Sequence, residues 1–123
     1  MADRKRALVV DDDEPIRTML TKILERHSLE VDVARDGQEA IDRITGDNGY
    51  AVILLDLMMP RVDGFQVLDY LSQHHPAKLA RTIVASAIPE SEVRRRFEGH
   101  VYRIHAKPFD MARLIGDVKA CLN

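Results

Sequence analysis

The run Ala51-Val52-Ile53-Leu54-Leu55 leads directly into Asp56, and that constrains the fold more than any other feature. Five consecutive apolar residues are too few to cross a membrane, and their lack of alternation argues against a half-exposed strand. The run reads as a central strand of a parallel sheet, covered on both faces. A carboxylate where such a strand ends falls at the carboxyl edge of the sheet, where open α/β proteins place their ligands. Asp56 is therefore the first candidate functional residue.

The rest of the chain supplies partners for this strand. Ala7-Leu8-Val9-Val10 predicts a first buried strand, ending in Asp11, Asp12 and Asp13. Glu14 and Pro15 suit the first turn of a helix, with Ile16, Met19, Leu20, Ile23 and Leu24 as its apolar stripe. Val31, Val33 and Ala34 predict a short second strand. Asp36 with Glu39 resembles a capping box for a second helix carrying Ala40, Ile41 and Ile44. Gly46-Asp47-Asn48-Gly49 then breaks the chain before the central strand.

Beyond Asp56, Asp63 is placed to cap a third helix through Phe65, Leu68 and Leu71, stopping near Pro76. Thr82 to Ala85 predicts a fourth strand that runs into Ser86. Pro89 and Glu90 open a short fourth helix through Val93 and Phe97. Val101 to Ile104 predicts a fifth strand, followed by Lys107 and Pro108. Asp110 caps a last helix with Met111, Leu114, Ile115, Val118 and Leu122 on one face. Five strands alternating with five helices imply an α/β, doubly wound parallel sheet of order 2-1-3-4-5, flavodoxin-like in topology.

Residues 1–123 are expected to form one domain, since a chain of 123 residues can build a single core. The formal net charge of -2 predicts no general affinity for nucleic acid or anionic membrane. There is no apolar stretch of membrane-spanning length and no signal-peptide pattern. Cys121 is the single cysteine, which excludes an internal disulfide and fits a reducing cytoplasm. It lies on the stripe of the last helix, where core packing is the expected role.

In the predicted topology, strands one, three, four and five end on one edge. That gathers Asp11, Asp12, Asp56, Ser86 and Lys107 from most of the chain. Two carboxylates about 4 Å apart repel by roughly 4 kcal/mol at an effective dielectric near 20. A hard divalent cation relieves such crowding, and an all-oxygen site suits Mg2+. Lys107 adds a compact positive charge and Ser86 a hydroxyl donor. Together they can cradle a phosphoryl group carried on a carboxylate. Taken singly each has a plainer role: Asp13 and Glu14 favour a helix dipole, Ser86 satisfies backbone at a strand end, and Lys107 is a solvated charge.

The motifs Val9-Val10-Asp11-Asp12, Leu55-Asp56-Leu57-Met58-Met59-Pro60 with Asp63-Gly64, Ala85-Ser86-Ala87 and Lys107-Pro108-Phe109 resemble those of response-regulator receiver domains. The resemblance spans essentially all 123 residues. It implies that Asp56 takes a phosphoryl group from a sensor histidine kinase or a phosphotransfer protein. It further implies that Asp12, Asp56 and the Met58 backbone carbonyl bind Mg2+, with Asp11 acting mainly through water. Lys107 would meet the phosphoryl oxygens and Ser86 would swing toward them. The signal would pass through the face made by the fourth helix, fifth strand and fifth helix, and the Lys107–Pro108 peptide would be cis. Such a domain is a signalling module, assisting only its own phosphorylation and dephosphorylation. Its output would need a downstream protein or a covalently linked effector outside this chain.

The chain also departs from that family. The aromatic residue usual three positions before the lysine is replaced by Ile104, with Tyr102 two residues earlier. Readout by the customary aromatic is therefore not expected. Met58 and Ile88, two residues beyond Asp56 and Ser86, flank the path of attacking water, and their apolar side chains predict slow loss of phosphate. Arg94, Arg95 and Arg96 are expected on a solvated face, and His74 and His75 as charges at a helix end.

Two other readings compete. A haloacid-dehalogenase-like phosphatase would use Asp11 as nucleophile and Asp13 as acid. Against it, Glu14-Pro15 follows where such enzymes usually carry Thr or Val, and the chain is short. A flavodoxin-like cofactor binder shares the topology, but no Gly-rich loop follows the first strand.

Overall fold

Apolar segments too short to fold alone assemble here into one sheet, with helices on both faces. The computed structural model describes residues 4–46, 49–59, 61–108 and 110–123. The strands are β1 (Arg6–Val10), β2 (Glu30–Ala34), β3 (Tyr50–Leu55), β4 (Thr82–Ser86) and β5 (Arg103–Ala106). The helices are α1 (Glu14–Arg26), α2 (Gly37–Gly46), α3 (Gly64–His74), α4 (Pro76–Leu79), α5 (Glu90–Arg96) and α6 (Met111–Leu122). All strand pairs are parallel and the order is β2-β1-β3-β4-β5, as the alternation predicts. Asp47, Asn48, Pro60 and Phe109, which the motif and loop assignments also used, lie outside the described residues.

Alternation along the strands divides the core in two. Leu8, Val10, Ile53 and Leu55 face α2, α3 and α5, packing with Ala40, Ile44, Leu68 and Val93. Ala7, Val9, Val52 and Leu54 face α1 and α6, packing with Leu20, Leu24, Leu114 and Val118. Burying one Leu or Ile is worth roughly 1.5–3 kcal/mol. A strand apolar on both faces, such as β3, is thereby held at the centre of the sheet. Cys121 belongs to the second cluster, and burial pushes its thiol pKa up, in keeping with a packing role.

Two expectations need correction. There are six helices among the described residues rather than five, because Pro76 both ends α3 and occupies the first turn of the one-turn helix α4. The fifth strand is Arg103–Ala106 rather than Val101–Ile104. Its ladder pairs Ile83 with Arg103 and Ser86 with Ala106, so Val101 and Tyr102 precede it. β5 is an edge strand, where Arg103 and His105 can carry polar groups to the surface or a partner. An apolar run was therefore a poor guide to its limits. His105 reaches Asp117 of α6 at 2.7 Å.

Caps set the helix starts that aim the loops. Asp13 accepts from the Ile16 N–H, Asp110 from the Arg113 N–H, and Asp63 forms a reciprocal capping box with Gln66. At α2, Asp36 accepts from the Glu39 N–H at 2.8 Å, whereas Glu39 reaches the Arg35 N–H at 3.3 Å. That box is displaced by one residue from the usual pattern.

Candidate functional site

The carboxyl edge of the sheet carries the chemistry. β1 delivers Asp11 and Asp12, β3 delivers Asp56, β4 ends in Ser86, and Lys107 directly follows β5. Oxygens of Asp11, Asp12 and Asp56 lie within 4.8 Å of one another. Asp11 and Asp56 are only 3% and 5% exposed, while Asp12 faces solvent. The Lys107 Nζ lies 3.0 Å from Asp11 Oδ2 and 3.6 Å from Asp56 Oδ2.

Backbone donors orient the two buried acids. The Asp13 N–H donates to Asp11 Oδ1 at 2.9 Å, and the Met58 N–H donates to Asp56 Oδ1 at 3.2 Å. Burial raises the Asp56 pKa above the usual carboxylate value, and Asp11 and Asp12 push the same way. The Met58 N–H and the Lys107 ammonium only partly offset this. For Lys107, burial works against the charge, but Asp11 and Asp56 outweigh it and hold the pKa above that of an ordinary lysine. Ser86 is fully buried, and its hydroxyl oxygen accepts from the Ile88 N–H at 3.3 Å.

A cleft of about 400 Å³ opens beside Asp12, between Met58, Phe65, Ile88 and Arg96. Crowded oxygens with one ammonium and an open side suit a hard dication and a phosphoryl group. The donor set, three carboxylates whose oxygens converge, fits Mg2+ chemically.

The model of the family described as "Response regulator receiver domain" matches residues 7–119. The chain belongs to that family. Receiver domains are the phosphoaccepting signalling modules of two-component response regulators, and this one is a signalling domain rather than a conventional enzyme. It is 40% identical over 116 residues to the transcriptional regulatory protein SrrA of Staphylococcus aureus, covering 94% of this chain and 46% of that protein. The chain thus spans about half the length of the curated relatives it matches. The receiver domain of the Francisella response regulator 1452 superposes with a TM-score of 0.85 at 30% identity, covering 97% of both chains. The response regulator TrrA of Thermotoga maritima, solved in complex with Mg2+ and a beryllium fluoride, gives a TM-score of 0.82 at 28% identity. That match covers 96% of this chain and 99% of the other.

Against these expectations the receiver geometry is specific. It gathers Asp11, Asp12, Asp56 and Lys107 at one point, and the Lys107–Pro108 peptide is cis. Met58 is tied to Asp56 through its N–H, while the residue as a whole is 58% exposed. Asp13 instead caps α1, which withdraws it from the acid role that a dehalogenase-like enzyme would need. Tyr102 packs in the α1/α6 cluster and Ile104 against the α2/α3/α5 cluster, so the two side chains lie on opposite sides of the sheet.

Arg94, Arg95 and Arg96 are exposed and pair along α5 with Glu90 and Glu92. Arg96 also lies 3.9 Å above the Phe65 ring. His74 is exposed at the end of α3, but His75 is half-buried and meets the Tyr70 hydroxyl at 3.4 Å. Sequence reasoning missed Arg17, whose guanidinium donates to the Asp11 carbonyl at 2.8 Å. Its position one turn into α1, on the side of the β1 end, was the available signal.

Proposed function

We propose that this receiver accepts a phosphoryl group on Asp56, in a Mg2+-dependent reaction, from a sensor histidine kinase or a phosphotransfer protein. The observation that carries this reading is the meeting of three carboxylates with the Lys107 ammonium at the ends of β1, β3 and β5. A carboxylate oxygen of Asp56 attacks phosphorus in line with the donor's leaving group. The new P–O bond forms as the donor bond breaks, and the leaving group departs with the bonding electrons. Lys107, already 3.6 Å from Asp56, neutralises the phosphoryl oxygens. Bound Mg2+, held by Asp12, Asp56 and the Met58 carbonyl with Asp11 acting through water, would supply the remaining positive charge.

The phosphoryl group adds roughly -1.5 to -2 charge at the pocket. The Ser86 hydroxyl then turns toward it, leaving the Ile88 N–H, and shifts the population of the face built by α5, β5 and α6. With Ile104 in the customary aromatic position, and Tyr102 on the other side of the sheet, the readout runs through packing rather than an aromatic rotamer. We place the reaction in the cytoplasm and the output in a partner protein or a linked effector. The length of SrrA, a transcriptional regulator, favours the linked form for a whole protein of this kind.

The test is incubation with Mg2+ and acetyl phosphate, followed by intact-mass measurement. Wild type should gain one phosphoryl group and Asp56→Asn none. An equal gain in Asp56→Asn would overturn the assignment.

A further inference from the structure

Outside the carboxylate pocket, a set of close contacts joins the start of α2 to the loop between β3 and α3. The base of that loop is pinned by Gly64, whose N–H donates to the Leu57 carbonyl at 3.1 Å. A Cβ at Gly64 would lie 2.4 Å from Leu57 Cα and 2.5 Å from the Asp56 carbonyl oxygen. Farther along, the Val62 carbonyl accepts from the Gly37 N–H at 2.9 Å. A Cβ at Gly37 would sit 2.0 Å from that oxygen, so the two segments touch backbone to backbone.

Arg61 stands next to this contact with φ of 61°, a left-handed conformation that a residue with a side chain seldom adopts. Its guanidinium pairs with Asp36; the Asp36 side chain is 10% exposed and that of Arg61 72%. Asp36 already caps α2 through the Glu39 N–H at 2.8 Å, so the helix does not need Arg61. The Glu39 N–H and Arg61 together hold the Asp36 carboxyl below its usual range. The pair instead ties the outer end of the loop to a rigid helix.

We propose that Arg61 and Asp36 are positioning residues for metal binding. Their clamp fixes Val62 and, through Gly64, the backbone at Leu57 and the Asp56 carbonyl, and so holds the end of β3 and the neighbouring Met58 in the shape that receives Mg2+ beside Asp56. This inference rests on the phosphoacceptor reading and goes beyond it. If the loop were free, the metal would have to order it, and that cost would appear as weaker affinity. The rate at saturating metal would stay nearly unchanged.

Isothermal titration of the intact chain with Mg2+ alone tests this, beside acetyl phosphate rates measured across Mg2+ concentrations. Arg61→Ala and Asp36→Asn should each weaken Mg2+ binding about three- to tenfold, and the double variant should be no worse than the poorer single. Arg61→Lys should keep most of the affinity. Arg61→Gly, which adopts left-handed backbone freely, should behave like Arg61→Ala because the clamp rather than the strain matters. Gly37→Ala, which pushes on Val62 while leaving both charges, should also weaken binding.

Unchanged Mg2+ affinity in both single variants, or an additive double variant, would overturn the clamp. So would a fall in the saturated rate with affinity intact, and so would a wild type that binds no Mg2+. A wild type that binds Mg2+ but takes no phosphoryl group would overturn the proposed function alone, since the titrations still report on the clamp.

Discussion

Replacing Asp56 with Asn should make the metal-free protein more stable, although it removes the residue on which the proposed chemistry depends. At up to 4.8 Å, Asp11 and Asp56 repel by about 3.5 kcal/mol at an effective dielectric near 20. Asp12, being exposed, contributes nearer the water limit, about 0.9 kcal/mol. Lys107 at 3.6 Å returns about 4.6 kcal/mol on the same scale. These terms nearly cancel, which leaves the desolvation of a carboxylate that is 5% exposed as the net cost. That places the gain from Asp56→Asn at about 1–3 kcal/mol. For 123 residues, each kcal/mol moves Tm by about 4 °C, so the variant should melt about 4–12 °C higher.

The pH dependence follows from the raised pKa of Asp56. Its folded-state value lies above the unfolded value near 3.8. The wild type therefore keeps full stability below that unfolded value and loses some as pH rises through the folded one. The advantage of Asp56→Asn should be small in acid and grow through this window. Thermal melts followed by circular dichroism, with EDTA present and across pH, measure it. Added Mg2+ should stabilise wild type more than the variant. A variant no more stable than wild type at neutral pH would refute the electrostatic account of the pocket.

Three further outcomes follow from the same geometry. Gly64→Ala should cost about 1–3 kcal/mol in urea unfolding and slow phosphorylation, because its Cβ would press on the Asp56 carbonyl; wild-type values for both would contradict the packing described. Tyr50, raised to about 12 by burial and by its hydrogen bond to Asp32, stabilises the fold fully below the ordinary tyrosine value and progressively less as pH rises toward 12. Tyr50→Phe should remove the latest phase of tyrosinate absorbance and flatten the alkaline loss of stability. Ile88→Ala should speed the loss of phosphate from phosphorylated protein, followed by intact mass, by opening the flank that Ile88 and Met58 cover; an unchanged or slower loss would argue against shielding.

How far the sequence revealed the fold depended on the kind of signal each element carried. β1, β3 and β4 were legible because strands buried on both faces read as unbroken apolar runs ending in Asp11, Asp56 and Ser86. β5 was misplaced by two residues because an edge strand tolerates Arg103 and His105, while Val101 and Tyr102 pack from a loop. The one-turn helix α4 lies below the length at which periodicity can be read. Within the site, co-occurrence at one sheet edge picked out Asp11, Asp12, Asp56 and Lys107, although a lysine such as Lys107 taken alone reads as a solvated charge. The Asp36–Arg61 tie and the Arg17 contact to Asp11 were not legible, because they depend on where two loops meet in space rather than on spacing along the chain.

The residue that takes the phosphoryl group, proposed to be Asp56, can be identified directly. Reducing the acetyl-phosphate-treated protein with borohydride converts an acyl phosphate to an alcohol, and peptide mass spectrometry then reads the position. Homoserine is expected at position 56 alone, formed only when Mg2+ was present. Homoserine at position 11 or 12, or at position 56 without any metal, would contradict the proposal.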